Sequence, residues 1–121
     1  MPDLSLFFWL FFGTSGRLGR GVFALACAFS YLARFFAVYQ VVRYSTETEP
    51  STGWTTVLLI TLLVSLWANV ALSIKRLHDL GLPGLWAIPT VVFDILAIIV
   101  LALLPGNTGP NRYGERTNQP R

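Results

Sequence analysis

Residues 54–74 read WTTVLLITLLVSLWANVALSI, an apolar run without a single charged side chain. A helix crosses the roughly 30 Å hydrocarbon core of a bilayer with about 20 apolar residues, at about 1.5 Å per residue. This run has that length, and the rest of the chain offers little to cover it. Only 12% of the 121 residues are charged, where soluble domains average about a quarter, and the mean hydropathy is +0.59. The chain is long enough for one domain, and that domain reads as a membrane protein.

Two further windows qualify as spans: 21–42, broken by Arg34 and Gln40, and 85–104, broken by Asp94. The N-terminal run 4–12, LSLFFWLFF, is as apolar but covers only about 14 Å as a helix. No basic stretch precedes it and no small-residue cleavage site follows, so it does not read as a signal peptide. An interfacial segment under the headgroups fits best. Glycines then break the chain at GTSGRLGRG (13–21), which presents Arg17 and Arg20. A polar loop occupies 43–53, and a polar tail of turn formers and arginines occupies 105–121. The expected fold is therefore an all-α membrane protein, with three transmembrane helices and a short interfacial N-terminal segment.

Orientation rests on flanking charge. Three spans with the N-terminus inside put Arg17, Arg20, Lys75 and Arg76 on the cytoplasmic side, against Arg43, Arg112, Arg116 and Arg121 outside. The positive-inside count ties. The flanks of the first span favour a cytoplasmic N-terminus, which puts the tail on the other side of the membrane.

The net charge of +3 and pI near 9.5 would suggest nucleic acid in a polar protein. Here the basic residues flank apolar runs, so an anionic membrane surface is the expected counterpart and nucleic acid is not; the alternative is that they only set topology. Cys27 is the one cysteine. It permits no disulfide within the chain and no cysteine-based metal site, and it reads as a small hydrophobe.

Charges inside spans are costly and normally find partners. Arg34 lies about 20 Å along its window and Asp94 about 14 Å along its own, from the same side of the membrane, so an extended arginine reaches the aspartate. The alternative has Arg34 snorkelling to the far interface and Asp94 protonated or wet. Thr61, Ser65, Asn69 and Ser73 recur every fourth residue on one face of the middle span. Ser30, Tyr31 and Arg34 share a face of the first, and Thr90 and Asp94 share one of the third. Such faces make a hydrogen-bonded seam, which glues membrane helices. The other reading is a polar path for a solute or proton through Arg34, Asn69 and Asp94; three helices enclose too little for that, so a path requires oligomers.

The stretch IKRLHDLGLPGLW (74–86) holds the only lysine and the only histidine. Lys75 and Arg76 suit the end of a span and the negative end of its dipole. Gly81 suits a left-handed helix C-cap, and Pro83-Gly84 is turn chemistry. Asp79 can pair with Arg17 or Arg20, and His78 can donate to a carbonyl or respond to pH. With GRLGR (16–20), KRLHDLG (75–81), LLPGNTG (103–109) and NRYG (111–114), the chain resembles the DUF805 family of small bacterial inner-membrane proteins. The family typically carries Ser-Gly-Trp after its His-Asp pair, where this chain has Leu82-Pro83-Gly84-Leu85-Trp86. The resemblance implies a three-span inner-membrane protein with no established activity.

Catalysis finds little support. One histidine with Asp79 and a distant Asp94 is a poor metal set, and no nucleophile or phosphate loop lies near. No cofactor is expected, and an enzyme using His78 and Asp79 at the membrane interface is the minor alternative. Arg17, Arg20, Lys75, Arg76 and His78, with Asp79 and Trp86 beside them, instead suit an anionic headgroup or a partner. The expectation is a binding or accessory protein that organises anionic lipid or a membrane complex, alone or as a homo-oligomer. The runner-up is a small oligomeric transporter or channel using Arg34, Asn69 and Asp94, within an intramembrane polar seam that includes Ser65.

Overall fold

The computed structural model describes residues 4–106, 109–114 and 117–118. Helices α1 (Leu4–Phe12), α2 (Arg20–Tyr44) and α3 (Thr52–Asp79) are followed by a single 3-10 turn (Gly84–Trp86) and two short helices, α4 (Ala87–Val92) and α5 (Asp94–Leu103). No strand occurs among the described residues.

α2 and α3 form an antiparallel pair. The loop between them is short and closed by its own polar groups: Thr46 N–H donates to Glu49 O at 2.8 Å and Ser51 N–H to Ser45 Oγ at 2.8 Å. Ser51 then caps α3 by accepting from Trp54 N–H at 3.3 Å. The pair closes on small side chains. Ala26, Ser30 and Ala37 are buried on α2, and Ser65, Ala68 and Ala71 on α3, which lets the backbones approach closely as in membrane bundles.

Both helices are long and apolar enough to cross a membrane, yet only 28% and 33% of their most apolar windows are buried. Their outward faces carry Leu25, Phe29, Leu32 and Phe35 on α2 and Leu59, Ile60, Leu63 and Val64 on α3, all exposed. A core helix of a soluble protein buries such residues; these two need an apolar surrounding.

The third apolar run departs from expectation. Residues 85–104 do not form one spanning helix: the chain leaves helical geometry at Phe93, with φ −108° and ψ 47°. Two residues weaken the run. Pro89 lacks the N–H that a helix interior uses, and Asp94 sits in the first turn of α5, where a carboxylate suits the positive end of the dipole. The two halves run in opposite directions. α4 descends along α3, from Gly84, whose backbone packs on Ile74, to Thr90 and Val91, which share a cavity with Leu66 and Asn69. α5 returns along α2, with Ile95 in the groove that also takes Tyr31 and Phe35, and Ala102 in its continuation toward Ala24. The run is a helical hairpin with Phe93 and Asp94 at its tip.

The return of α5 also moves the tail. Leu101, Leu104, Gly109 and Gly114 all receive bonds from Arg17 or Arg76, so the tail lies at the same end of the molecule as GRLGR and KRLHD. Three full spans would have set it at the opposite end. Arg112 joins Arg17, Arg20, Lys75 and Arg76 at that end, while Arg116 and Arg121 lie outside the described residues.

Candidate functional site: a buried ionic hub and a polar pocket between helices

The KRLHD stretch is helical. α3 runs five residues past 74, to Asp79, and closes in a Schellman turn: Leu82 N–H donates to Leu77 O at 2.8 Å and Gly81 N–H to His78 O at 3.0 Å. Gly81 takes φ 79°, the left-handed conformation that glycine adopts without penalty.

Consecutive residues of a helix point about 100° apart, so Lys75 and Arg76 serve different neighbours. Lys75 Nζ donates to the carbonyls of Trp9 and Leu10 and lies 4.5 Å from the centre of the Trp9 ring. Those carbonyls belong to the last turn of α1, where helical bonding leaves acceptors over. Trp67 Nε1 adds a bond to Phe12 O at 3.1 Å. Arg76 does the same for α5, with Nε donating to Leu101 O at 2.7 Å and Nη2 to Leu104 O. Each cation caps a helix other than its own, with the favourable sign for a C-terminus.

Asp79 balances the arginines. Its Oδ1 accepts from Arg17 Nε at 3.0 Å and its Oδ2 from Arg76 Nη1 at 2.7 Å. Arg17 Nη1 reaches on to Gly109 O at 2.7 Å and Gly114 O at 3.2 Å, which ties down the tail. His78 Nδ1 meets Gly16 O at 3.0 Å; a carbonyl only accepts, so Nδ1 carries the proton. The His78 ring stacks on Tyr113 with centroids 4.0 Å apart, and Asn111 Nδ2 donates to His78 O at 2.9 Å.

The seven residues expected here are brought by the fold to one end of the molecule. It does not present them alike. Lys75 and Arg76 are 0% exposed, Arg17 2% and Asp79 3%, whereas Arg20 and Trp86 face outward and His78 is half-buried. Four of the seven are turned toward each other and toward main-chain carbonyls. His78 and Asp79 take different partners, and among the described residues no group of three or more His, Cys, Asp or Glu side chains is placed to hold a metal ion. Sequence reasoning missed Gly16, Tyr113 and Asn111 as partners of His78; NRYG was visible as a motif, but nothing in it pointed to a stacked ring.

The second cluster lies at the hairpin tip. Tyr31 donates its hydroxyl to Asp94 Oδ2, and Arg34 Nη1 stands 3.7 Å from the same oxygen, an ion pair too long for a hydrogen bond. Arg34 Nε donates to Ser65 Oγ at 2.7 Å, and its guanidinium lies 4.7 Å from the centre of the Tyr31 ring. Arg34, Ser65 and Asp94 of the expected seam thus meet. Asn69 differs: it is 7% exposed, and neither its Nδ2 nor its Oδ1 has a hydrogen-bond partner among the described residues. It lines a cavity of about 90 Å³ with Arg34, Ser73, Thr90 and Asp94, walled by Leu66, Val70 and Val91.

A family model described as "Protein of unknown function (DUF805)" matches residues 11–115, most of the chain and all of GRLGR, KRLHDLG and NRYG. No curated protein and no solved structure matches it.

Proposed function

The chain belongs to the DUF805 family, which is described only as being of unknown function, and from its own geometry we propose that it binds and passes a small polar species across the bacterial inner membrane. The observation that carries this reading is the Asn69 amide, buried without a partner for either polar atom in a cavity that also receives Arg34 and Asp94. A buried amide without hydrogen bonds costs about 1–3 kcal/mol, and glue between helices would have spent those bonds on a neighbour. Interrupted helix at membrane depth is tolerated where it lines a cavity, and broken helices commonly form the midplane sites of transporters.

α2 and α3 cross the bilayer, and the α4–α5 hairpin enters and leaves on one side. Asn69 is ten residues from Asp79 along α3, which sets the pocket about 15 Å inside the hub end, near mid-membrane. The hub end carries Arg17, Arg20, Lys75, Arg76 and Arg112 against Arg43 at the other. The positive-inside rule then assigns the hub, the N-terminal segment and the tail to the cytoplasm. One copy walls the pocket only in part, so the working unit is an oligomer.

The anionic-headgroup reading draws less support, because Arg17, Lys75 and Arg76 spend their donors on Asp79 and on carbonyls. Arg20, Trp86 and Arg112 remain outward for lipid. The test is flux in proteoliposomes of the full chain, with water, urea, ammonium, sodium, chloride and protons as the panel. At least one species should cross, and Asn69→Leu should abolish that flux. A panel that the chain leaves at the rate of empty liposomes would refute the reading.

A further inference from the structure

Size limits what the pocket can hold. A cavity of about 90 Å³ has room for several water molecules. Charge limits the contents further. Arg34 and Asp94 both line the cavity, so an inorganic cation meets the guanidinium and an anion meets the carboxylate. Water meets neither objection. Asn69 offers it a donor and an acceptor, Ser73 a hydroxyl, and Thr90, whose hydroxyl donates to Ala87 O, an acceptor.

A carboxylate facing water at mid-membrane is the arrangement that proton relays use. Resting on the reading above, we infer that the species handled by this pocket is the proton, with Asp94 as its carrier and Arg34 and Tyr31 as the groups that control it. The groups facing Asp94 are few. α2 contributes Arg34, Tyr31 and the more distant Cys27. α3 contributes Asn69 and Ser73, and α4 contributes Thr90, none of them titratable.

The step is a transfer between water and carboxylate. The proton arrives by relay: the water beside Asp94 gives one O–H proton to the carboxylate and takes one from the water behind it, leaving a neutral acid and no cation resident beside Arg34. The Arg34–Asp94 ion pair is lost, while Arg34 keeps its bond to Ser65 Oγ and its place against the Tyr31 ring. When the proton leaves to water, the carboxylate reforms and the pair returns. Arg34 belongs to α2 and Asp94 to the hairpin tip, so the tie between them is made in one protonation state and released in the other. Carriage of a proton thereby alternates the hold on the hairpin.

The experiment uses the full chain in liposomes with an internal pH dye and an imposed potassium diffusion potential, alongside infrared difference spectra on acidification. The wild type should carry protons, and Asp94→Asn should slow that flux at least tenfold and remove a titrating carboxylic acid C=O band. Arg43→Gln, at the opposite end of α2, serves as the control for folding and insertion and should match the wild type. Flux of water or a solute that Asn69→Leu abolishes, without proton flux, would overturn the proton assignment and leave the pocket reading standing. Proton flux and a C=O band that both survive in Asp94→Asn would overturn the role of Asp94. Absence of all flux in a folded, inserted protein would overturn both readings.

Discussion

Gly106 lies so close to the Asp79 carboxylate that a Cβ built on it would fall 1.8 Å from Oδ2 and 2.8 Å from Cγ. The carboxylate has no freedom to retreat, because Arg17 holds one oxygen and Arg76 the other. The tail therefore crosses the hub only where it carries no side chain. Gly106→Ala is expected to destabilise the protein by the about 1–3 kcal/mol typical of overpacking. A lower thermal midpoint in detergent would bear this out; an unchanged midpoint would mean that the tail does not cross the hub there.

The Arg17–Asp79–Arg76 cluster is buried, so its members are more costly to lose singly than together. Asp79→Asn leaves two arginines facing each other, and Arg17→Gln removes the contact that fastens Gly109 and Gly114. Breaking one partner of a buried pair costs about 3–5 kcal/mol, whereas apolar replacement of both is often neutral. Each single change should therefore lower accumulation in the membrane sharply. The triple change Arg17→Met, Arg76→Met and Asp79→Leu should recover part of that loss; purely additive losses would count against a coupled cluster.

Asn69 separates glue from function. With no bond to lose, Asn69→Leu is expected to leave the thermal midpoint unchanged or raise it, while ending flux. Ser65→Ala makes the contrast, since it deletes a bond to the Arg34 guanidinium, of the charged kind worth about 1.5–3 kcal/mol. Should Asn69→Leu destabilise as much as Ser65→Ala, the amide is structural and the pocket loses its main support.

What the sequence disclosed divides along a physical line. Helix α1 occupies residues 4–12 as read from its apolar run, and α2 and α3 enclose the windows 21–42 and 54–74. Length and hydropathy decide such elements. The run 85–104 has the same length and hydropathy whether it crosses once or turns back. Only Pro89, in its first third, and Asp94, at its middle, hinted at a turn. At the hub, the side chains were legible but their partners were not. Carbonyls of Trp9, Leu10, Leu101, Leu104 and Gly109 accept most of the bonds, and every residue type has a carbonyl. The positive-inside count tied for a related reason, because it assigned Arg112 to a side according to the number of spans.

That assignment gives the most decisive prediction. In a Cys27→Ala background, single cysteines at Thr14, Glu47 and Thr117 report the two ends of the molecule. Asn118 N–H donates to Arg17 O at 2.7 Å, so residue 117 lies at the hub end with residue 14, and Glu47 lies in the loop at the other end. A hairpin entering and leaving on one side requires Thr14→Cys and Thr117→Cys to react with a membrane-impermeant maleimide from the same side, with Glu47→Cys reacting from the opposite one. With three full spans, Thr117→Cys would instead label together with Glu47→Cys, and Arg17 could not reach Gly109 across the bilayer. Inverted vesicles supply the second face, so each position is scored twice. The positive-inside rule sets the direction: positions 14 and 117 should label from the cytoplasmic face, because the hub end carries five cations and the other end one, Arg43.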